Sequence, residues 1–267
     1  MSGGSGTVLD RIAASVRDRL AREAPPPGLE AAAREAARRR REHGGRSLLA
    51  TLAAPGVRVI AECKRRSPSA GWLRDGFEPV SLARAYRQGG AAAVSVVTEP
   101  EYFAGRASWI APIKEAVELP VLQKDFIVDE RQLFEAILAG ADAVLLIARL
   151  LPAARLAEVV RAAEELALEP LVEVHDEADV ERAGTVGARL VGINARDLAT
   201  FRVDLGRALE LSARVPDGAL VVIESGIDGC AAARPFLERG LRCFLVGEHL
   251  LRAADPAAAV ARLVACR

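Results

Sequence analysis

Lysine is nearly absent from this sequence. The chain contains 36 Lys and Arg residues, but only Lys64, Lys114 and Lys124 are lysines. Arginine stays protonated at any accessible pH, whereas a partly buried lysine can exchange its proton and act as an acid or base. Lys64 ends the apolar segment VIAECK, and Lys124 ends PVLQK. The pattern predicts a catalytic or ligand-binding role for these two, whereas Lys114, in a predicted helix, fits compositional drift.

Asparagine and aromatic residues are scarce as well. Asn194, at the end of LVGIN, is the only asparagine, and its rarity marks it as a candidate site residue. Aromatic residues make up 4% of the chain and apolar residues 51%, so the core must be built from Ala, Val, Leu and Ile. The formal net charge is zero, which argues against a dedicated nucleic-acid-binding protein.

The four cysteines and three histidines lack the spacing of a metal site or of a secreted disulfide framework. We expect no bound metal, and we expect reduced cysteines that pack as small apolar residues, with Cys266 in the tail. The sequence has no signal peptide and no apolar run of membrane length. It therefore predicts a soluble, cytoplasmic protein without a membrane partner.

From about residue 56 the chain repeats one unit eight times: a short apolar run, a polar turn and a helical stretch. Runs rich in Val, Ile and Leu are typical of parallel strands buried on both faces. The predicted strands are 57–63, 91–98, 119–124, 142–148, 169–174, 188–194, 219–225 and 242–247. Eight such units predict an α/β fold, a (β/α)8 TIM barrel. A doubly wound open sheet is the alternative, but the chain lacks a dinucleotide-binding glycine motif.

Residues 1–55 precede the eight units. Leu9, Ile12, Val16 and Leu20 recur at helical spacing, which predicts a helix with one buried face. A second helix is predicted after PPPG and ends near residue 42. We interpret 1–55 as an N-terminal helical extension packed on the barrel of 56–267, so that 1–267 forms a single catalytic domain.

Five charged residues and one asparagine stand at the carboxyl ends of the predicted strands, where the active sites of such barrels lie. They are two lysines, three glutamates and one asparagine: Glu62, Lys64, Lys124, Glu173, Asn194 and Glu224. Alternate strands supply one interior layer, so the two amines and three carboxylates should meet at one mouth. Such a cluster is costly to desolvate unless its members pair. It predicts proton transfer, with a purely structural ion-pair network as the alternative.

Three glycine-containing loops on the same face predict a phosphate site. ESGIDG and VGEHL follow the seventh and eighth strands, where this fold commonly binds phosphate. SPSAG, after the first strand, adds two hydroxyl groups. The expected partner is therefore a phosphorylated small molecule.

Successive segments resemble the signatures of the indole-3-glycerol phosphate synthase family. They are IAECKRRSPSAG, VLQKDFIVDERQ, GADAVLLI, LVEVHDEADVERA, VGINARDLATF, ESGI and LVGEHLLRAADP, in order from about residue 56 to 263. The resemblance implies a lyase of tryptophan biosynthesis, a carboxy-lyase that needs no cofactor. Its substrate would be 1-(2-carboxyphenylamino)-1-deoxyribulose 5-phosphate, which is closed to an indole with loss of carbon dioxide and water.

The resemblance also implies roles for individual residues. Lys124 would be the general acid of ring closure, Glu173 the acid/base of dehydration, and Lys64 an anion-binding group and second proton donor. Glu62, Asn194 and Glu224 would orient the lysines and the sugar hydroxyls. The remaining candidates would bind the substrate carboxylate (Arg196), its aromatic ring (Phe126) and its phosphate (Ser67, Ser225, Gly226 and Gly247).

Five positions depart from the usual pattern of the family, namely Cys63, Ala70, Arg106, Gln123 and Ala195, and none of them removes a predicted proton-transfer group. Two other functions remain open. One is a sugar-phosphate isomerase resembling phosphoribosylanthranilate isomerase, which would use a Cys and Asp pair. The other is a non-catalytic phosphate-binding barrel. We expect a monomer or a weak homo-oligomer.

Overall fold

Eight parallel strands form a closed barrel in the computed structural model, which describes residues 7–197 and 200–267. The first strand is hydrogen-bonded to both the second and the eighth, which closes the sheet. The strands are β1 (Arg58–Cys63), β2 (Ala93–Val97), β3 (Val121–Lys124), β4 (Ala143–Ile147), β5 (Glu169–Val174), β6 (Leu190–Asn194), β7 (Leu220–Glu224) and β8 (Cys243–Val246). The predicted barrel is confirmed, and the open-sheet alternative is wrong.

Helices connect successive strands around the outside. After β1 a two-stranded hairpin, Arg66–Ser67 with Gly71–Trp72, precedes the first of them. The helices of the eight units are Pro79–Gln88, Pro100–Phe103, Ile110–Ala116, Glu130–Ala139, Ala153–Glu165, Glu177–Thr185, Leu205–Ser212, Cys230–Glu238, Glu248–Arg252 and Pro256–Val264, with 3-10 turns at Ala107–Trp109 and Ala148–Leu150. Several begin at an aspartate whose carboxylate accepts a backbone N–H of the first turn, as at Asp129, Asp176, Asp204 and Asp255.

The alternation of side chains along each strand builds two apolar layers. Inward residues such as Ile60, Leu122 and Leu171 fill the barrel. Outward residues such as Val59 and Val172 pack against the surrounding helices. Charged side chains that point inward therefore have only the strand ends to occupy, because the barrel interior is filled.

The N-terminal extension contacts both ends of the barrel. Its helices are Val8–Arg22, Leu29–His43 and Leu48–Leu52, the last of which the sequence did not predict. Leu9 and Ile12 of the first helix reach the carboxyl ends of the strands. Near the last helix, Ser47 Oγ donates to Glu169 Oε1 at the amino end of β5 (2.6 Å). The extension therefore spans the barrel from one face to the other.

Lys114 makes a buried ion pair, so the interpretation of this residue as compositional drift is wrong. Its Nζ donates to Asp142 Oδ1 (2.6 Å) and to the carbonyl of Gly140 (2.8 Å). Asp142, fully buried before β4, also accepts the backbone N–H of Val121 (3.0 Å). The lysine thereby ties the helix Ile110–Ala116 to the starts of β3 and β4, far along the barrel from the predicted site.

Replacing Lys114 by methionine should lower the free energy of unfolding by about 3 kcal/mol, because it leaves the Asp142 carboxylate buried without its closest cation. Urea denaturation measures this change. The matched control is Arg87→Met, which breaks the exposed Arg87–Glu118 pair and should have little effect on stability. Equal stability of the two variants would contradict the buried role of Lys114.

Two of the four cysteines form a disulfide, so the prediction that all four are reduced is wrong. Cys230, at the start of one helix, is bonded to Cys266, which lies 36 residues later and just beyond the last helix. Sequence spacing could not reveal this contact, because it depends on how the helices of the last two units pack side by side. Cys63 and Cys243 are free and buried, as expected.

No helix within 7–197 or 200–267 combines the length and apolar character needed to cross a bilayer.

Candidate active site

The carboxyl ends of the strands surround a cavity of about 850 Å³, a volume typical of small-molecule sites. All twelve candidate residues from the sequence contribute to its wall. They are Glu62, Lys64, Ser67, Lys124, Phe126, Glu173, Asn194, Arg196, Glu224, Ser225, Gly226 and Gly247. The five departures from the family pattern do not line it.

Lys124 lies between two buried carboxylates. Its Nζ is 2.9 Å from Glu173 Oε2 and 2.6 Å from Glu224 Oε2. These three side chains come from β3, β5 and β7, which are alternate strands of the barrel. The lysine side chain keeps 19% of its exposure and lines the cavity.

Lys64 pairs with a carboxylate of its own strand. Its Nζ donates to Glu62 Oε1 at 2.6 Å, because residues two apart on a strand point to the same side. A Cβ atom at Gly247 would lie 2.4 Å from the same Oε1. Likewise, a Cβ atom at Gly192 would lie 2.2 Å from Glu224 Oε1. Glycine is therefore required at both positions to leave room for the buried carboxylates.

The two lysines face three carboxylates, so one carboxyl group must keep its proton for the cluster to be neutral. Burial raises the pKa of Glu224 to about 8, with Lys124 opposing the rise and the charge of Glu173 adding to it. For Glu173 the effect of burial is outweighed by Lys124 and His175, and its pKa falls to about 2. The neighbouring carboxylates raise the pKa of Lys124, against the effect of burial. We therefore expect Glu224 to be the acid of this cluster that keeps its proton at neutral pH.

This proton links stability to pH. Because the pKa of Glu224 is raised from 4.5 to about 8, its contribution to stability is full below pH 4.5 and is lost as the pH rises to about 8. Glu173 acts in the opposite sense: its contribution is present above pH 4.5 and is lost as the pH falls towards 2.

Glutamine at position 224 mimics the protonated acid. We therefore expect the free energy of unfolding of Glu224→Gln, relative to that of the unchanged protein, to increase steadily from about pH 5 to about pH 8 and then to level off. Urea denaturation at a series of pH values measures this difference. A difference that stays constant across that range would contradict the protonation of Glu224.

Asn194 holds two neighbouring loops together and, within the described residues, makes no hydrogen bond with either lysine. Its Oδ1 accepts the hydroxyl of Ser225 (2.8 Å) and the backbone N–H of Arg196 (3.0 Å). Ser225 has a positive φ of 68°, an unusual conformation for a residue with a side chain. Gly226 follows with φ 80°, and a Cβ there would lie 2.5 Å from Val203.

Arg196 points into the cavity beside Glu248. Its Nη2 lies 3.8 Å from Glu248 Oε2, and its Nη1 donates to the carbonyl of Phe201 (3.1 Å). Because the distance to Glu248 is long for an ion pair, the guanidinium can leave Glu248 and bind another carboxylate that enters the cavity. On the opposite side, Ser67 Oγ accepts the N–H of Ala70 (3.1 Å) within the loop after β1.

Part of the cavity wall was not predicted from the sequence. Phe103 stacks near Phe126, with ring centroids 5.8 Å apart. The short helix that carries Phe103 is fixed by Glu99, which accepts three backbone N–H groups at its start. Phe103 is one of seven phenylalanines, and nothing in the sequence around it marks it as a site residue.

Three further residues of the cavity wall were not predicted as site residues. Leu9 and Ile12 were recognised only as a buried stripe, although both line the cavity. Asp125, next to Lys124, also lines it. Burial raises the pKa of its carboxyl group.

The chemistry available here is proton transfer between amines and acids, beside loops that can bind an anion. Within 7–197 and 200–267 no three His, Cys, Asp or Glu side chains are arranged to hold a metal ion.

The barrel resembles solved structures at low sequence identity. 3-Hexulose-6-phosphate synthase from Salmonella typhimurium matches with a TM-score of 0.62 and 18% identity, covering 78% of this chain and 96% of that one. Orotidine 5'-phosphate decarboxylase from Pyrococcus horikoshii matches with a TM-score of 0.59 and 15% identity, covering 77% and 97%. At these identities the likeness concerns the fold alone.

Sequence comparisons are more specific. The family model for indole-3-glycerol phosphate synthase matches residues 9–263. The indole-3-glycerol phosphate synthase of Rhodopirellula baltica is 43% identical over 262 residues, which cover 97% of this chain and 99% of the relative. Indole-3-glycerol phosphate synthase 2 of Streptomyces coelicolor is 47% identical over 219 residues, covering 82% and 85%. With a match over nearly its whole length, the chain belongs to the indole-3-glycerol phosphate synthase family.

Proposed function

We propose that this enzyme is a carboxy-lyase that converts 1-(2-carboxyphenylamino)-1-deoxyribulose 5-phosphate to indole-3-glycerol phosphate in tryptophan biosynthesis. The observation that carries the proposal is the ammonium group of Lys124, held between Glu173 and Glu224 at the wall of the cavity in a chain of this family. The reaction forms one carbon–carbon bond and releases one carbon dioxide and one water.

Lys124 acts as the general acid of ring closure. Its Nζ donates a proton to the ketone oxygen of the substrate while the aromatic carbon that bears the carboxylate attacks the ketone carbon. The raised pKa of Lys124 keeps the amine charged before the substrate binds. Binding must therefore loosen its contacts with the carboxylates, and the cationic group then stabilises the charge that develops on the oxygen.

Decarboxylation and dehydration complete the indole. Loss of carbon dioxide supplies the electron pair that restores the aromatic ring. Removal of the hydroxyl group as water then needs a proton donor and a base, and we assign these to Lys64 and Glu173. Glu173, with its pKa held near 2, is ionised and ready to take a proton once Lys124 has turned to the substrate. These steps use proton transfer by side chains and call on no cofactor.

The remaining wall residues bind the substrate. Ser67, Ser225, Gly226 and Gly247 lie on the loops after β1, β7 and β8 and would bind the phosphate through hydroxyl and backbone N–H groups. Arg196 would bind the carboxylate, and Phe126 with Phe103 would cover the aromatic ring. Because Leu9 and Ile12 also line the cavity, we propose that 1–55 and 56–267 act as one catalytic domain, in a monomer or weak homo-oligomer.

The isomerase alternative requires a cysteine that faces the cavity. Cys63 faces the outer helices instead, with its Sγ 3.9 Å from the carbonyl of Pro79. We therefore set this alternative aside, together with a non-catalytic barrel, whose cavity would have no need of an accessible ammonium group.

Incubation with the carboxyphenylamino-deoxyribulose phosphate tests the proposal directly. We expect indole absorbance to appear in step with one equivalent of carbon dioxide, and we expect Lys124→Met to form indole about 10⁴-fold more slowly. Absence of indole with the unchanged protein would overturn the proposed activity. Indole formation at a nearly unchanged rate in the variant would overturn only the assignment of Lys124.

A further inference from the structure

His175 lies behind Glu173, and the mechanism above gives it no role. It follows β5, two residues beyond Glu173, and only 4% of its side chain is exposed. Its Nε2 lies 3.2 Å from Glu173 Oε1, on the side of the carboxylate opposite the oxygen that binds Lys124. The imidazole does not line the cavity, so its effect on the reaction must pass through Glu173.

The imidazole is itself held from behind. Its Nδ1 lies 3.8 Å from Asp179 Oδ2, and the same oxygen accepts the backbone N–H of His175 (3.1 Å). Arg149 Nε donates to that oxygen as well (2.7 Å), while Arg149 Nη2 binds Asp176 (2.6 Å). A row of neighbouring polar side chains therefore runs from Arg149 through Asp179 and His175 to Glu173 and Lys124.

Both ring nitrogens of His175 face carboxylate oxygens, which can only accept hydrogen bonds when ionised. Neither nitrogen has a hydrogen bond of good geometry with the described residues, although the oxygens lie close. Buried polar atoms without partners are costly. A small rotation of the ring would align Nε2–H with Glu173 Oε1, and such a rotation becomes favourable when Lys124 leaves Glu173.

We propose that His175 is a positioning residue that holds Glu173 Oε1 while Lys124 turns from Glu173 to the substrate. Without it, Glu173 would follow the ammonium or turn into the cavity, and its oxygen would no longer be placed for proton transfer. Asp179, itself bound by Arg149, holds the imidazole ring in the orientation that this role requires. The inference rests on the proposed function and adds a residue to its machinery.

Substitutions at position 175 distinguish the role of Nε2 from the role of Nδ1. Glutamine places its amide nitrogen near the position of Nε2 and can still donate to Glu173, whereas asparagine reaches only towards Asp179. Leucine removes both contacts. We expect His175→Leu to lower kcat about 10- to 100-fold, the range for a hydrogen bond to a charged group, with KM changed less than about threefold. His175→Gln should recover most of this loss.

The comparison of glutamine with asparagine decides the matter even if the leucine variant does not fold. We expect His175→Gln to exceed His175→Asn in kcat by about tenfold. Equal rates in these two variants, or an unchanged kcat in the leucine variant, would overturn the proposal. The matched control is His43→Leu, on an exposed helix of the extension, and it should leave kcat unchanged.

A measurement without substrate distinguishes this inference from the proposed function. The chain has three histidines, and the ring nitrogen signals of His175 can be assigned in nitrogen-15 NMR spectra by their loss in His175→Gln. We expect Glu173→Gln to move these signals and Glu169→Gln, at the other end of β5, to leave them in place. Signals that do not respond to Glu173→Gln would overturn the role of His175, whether or not the unchanged protein forms indole.

Discussion

Replacing Lys124 by methionine should lower kcat by about 10⁴-fold, the upper end of the range for loss of a general acid. The large effect is expected because Nζ is the proton donor of ring closure and also the group that holds Glu173 and Glu224. Methionine has similar length but carries neither charge nor proton. Initial rates of indole formation at saturating substrate measure the change.

The fold should survive this substitution. Glu224 already carries a proton, since its pKa is raised to about 8, so the variant is left with one ionised carboxylate beside one acid that can donate to it. Circular dichroism and urea denaturation check the fold. Lys114→Met is the contrasting variant, because it should be less stable than the unchanged protein but have the same kcat. Turnover by Lys124→Met within tenfold of the unchanged protein would remove the acid assignment.

Glu173→Gln should lower kcat by about 10³-fold and change KM by less than about threefold. The amide keeps the size of the side chain, and its oxygen can still accept a hydrogen bond from Lys124, so substrate binding is preserved. It cannot take up a proton during dehydration. Steady-state kinetics separate the two constants.

The matched control for this prediction is Glu169→Gln on the same strand. Glu169 lies at the amino end of β5 and accepts hydrogen bonds from Ser47 Oγ and the backbone N–H of Leu49, away from the cavity. Its substitution should leave kcat unchanged. A raised KM with an unchanged kcat in Glu173→Gln would make Glu173 a binding group and not a base.

Much of the architecture could be predicted, because few types of residue are suited to a strand inside a barrel. A parallel strand covered on both faces must be apolar along its length, so each charged residue at a strand end, such as Lys124 or Glu173, stands out. Glu62 and Lys64 could be assigned to one side from the two-residue repeat of a strand. Rarity then separated Lys64 and Lys124 from the many arginines.

Partners distant in sequence could not be predicted, because they depend on how neighbouring units of the barrel pack against one another. Nothing local to Lys114 indicates Asp142, and nothing local to Cys230 indicates Cys266. The raised pKa of Glu224 is also invisible in the sequence, since it follows from burial of the carboxyl group and from the nearby charge of Glu173. Phe103 reaches the cavity only because Glu99 fixes a four-residue helix.

The scarcity of lysine has a practical consequence for anyone who attaches this protein to a dye or a resin. Reagents that acylate side-chain amines find three targets, each engaged with a carboxylate and each less than a quarter exposed. Two of the three line the cavity. Coupling through lysine would therefore block the entrance to the barrel, and an excess of substrate should slow the labelling.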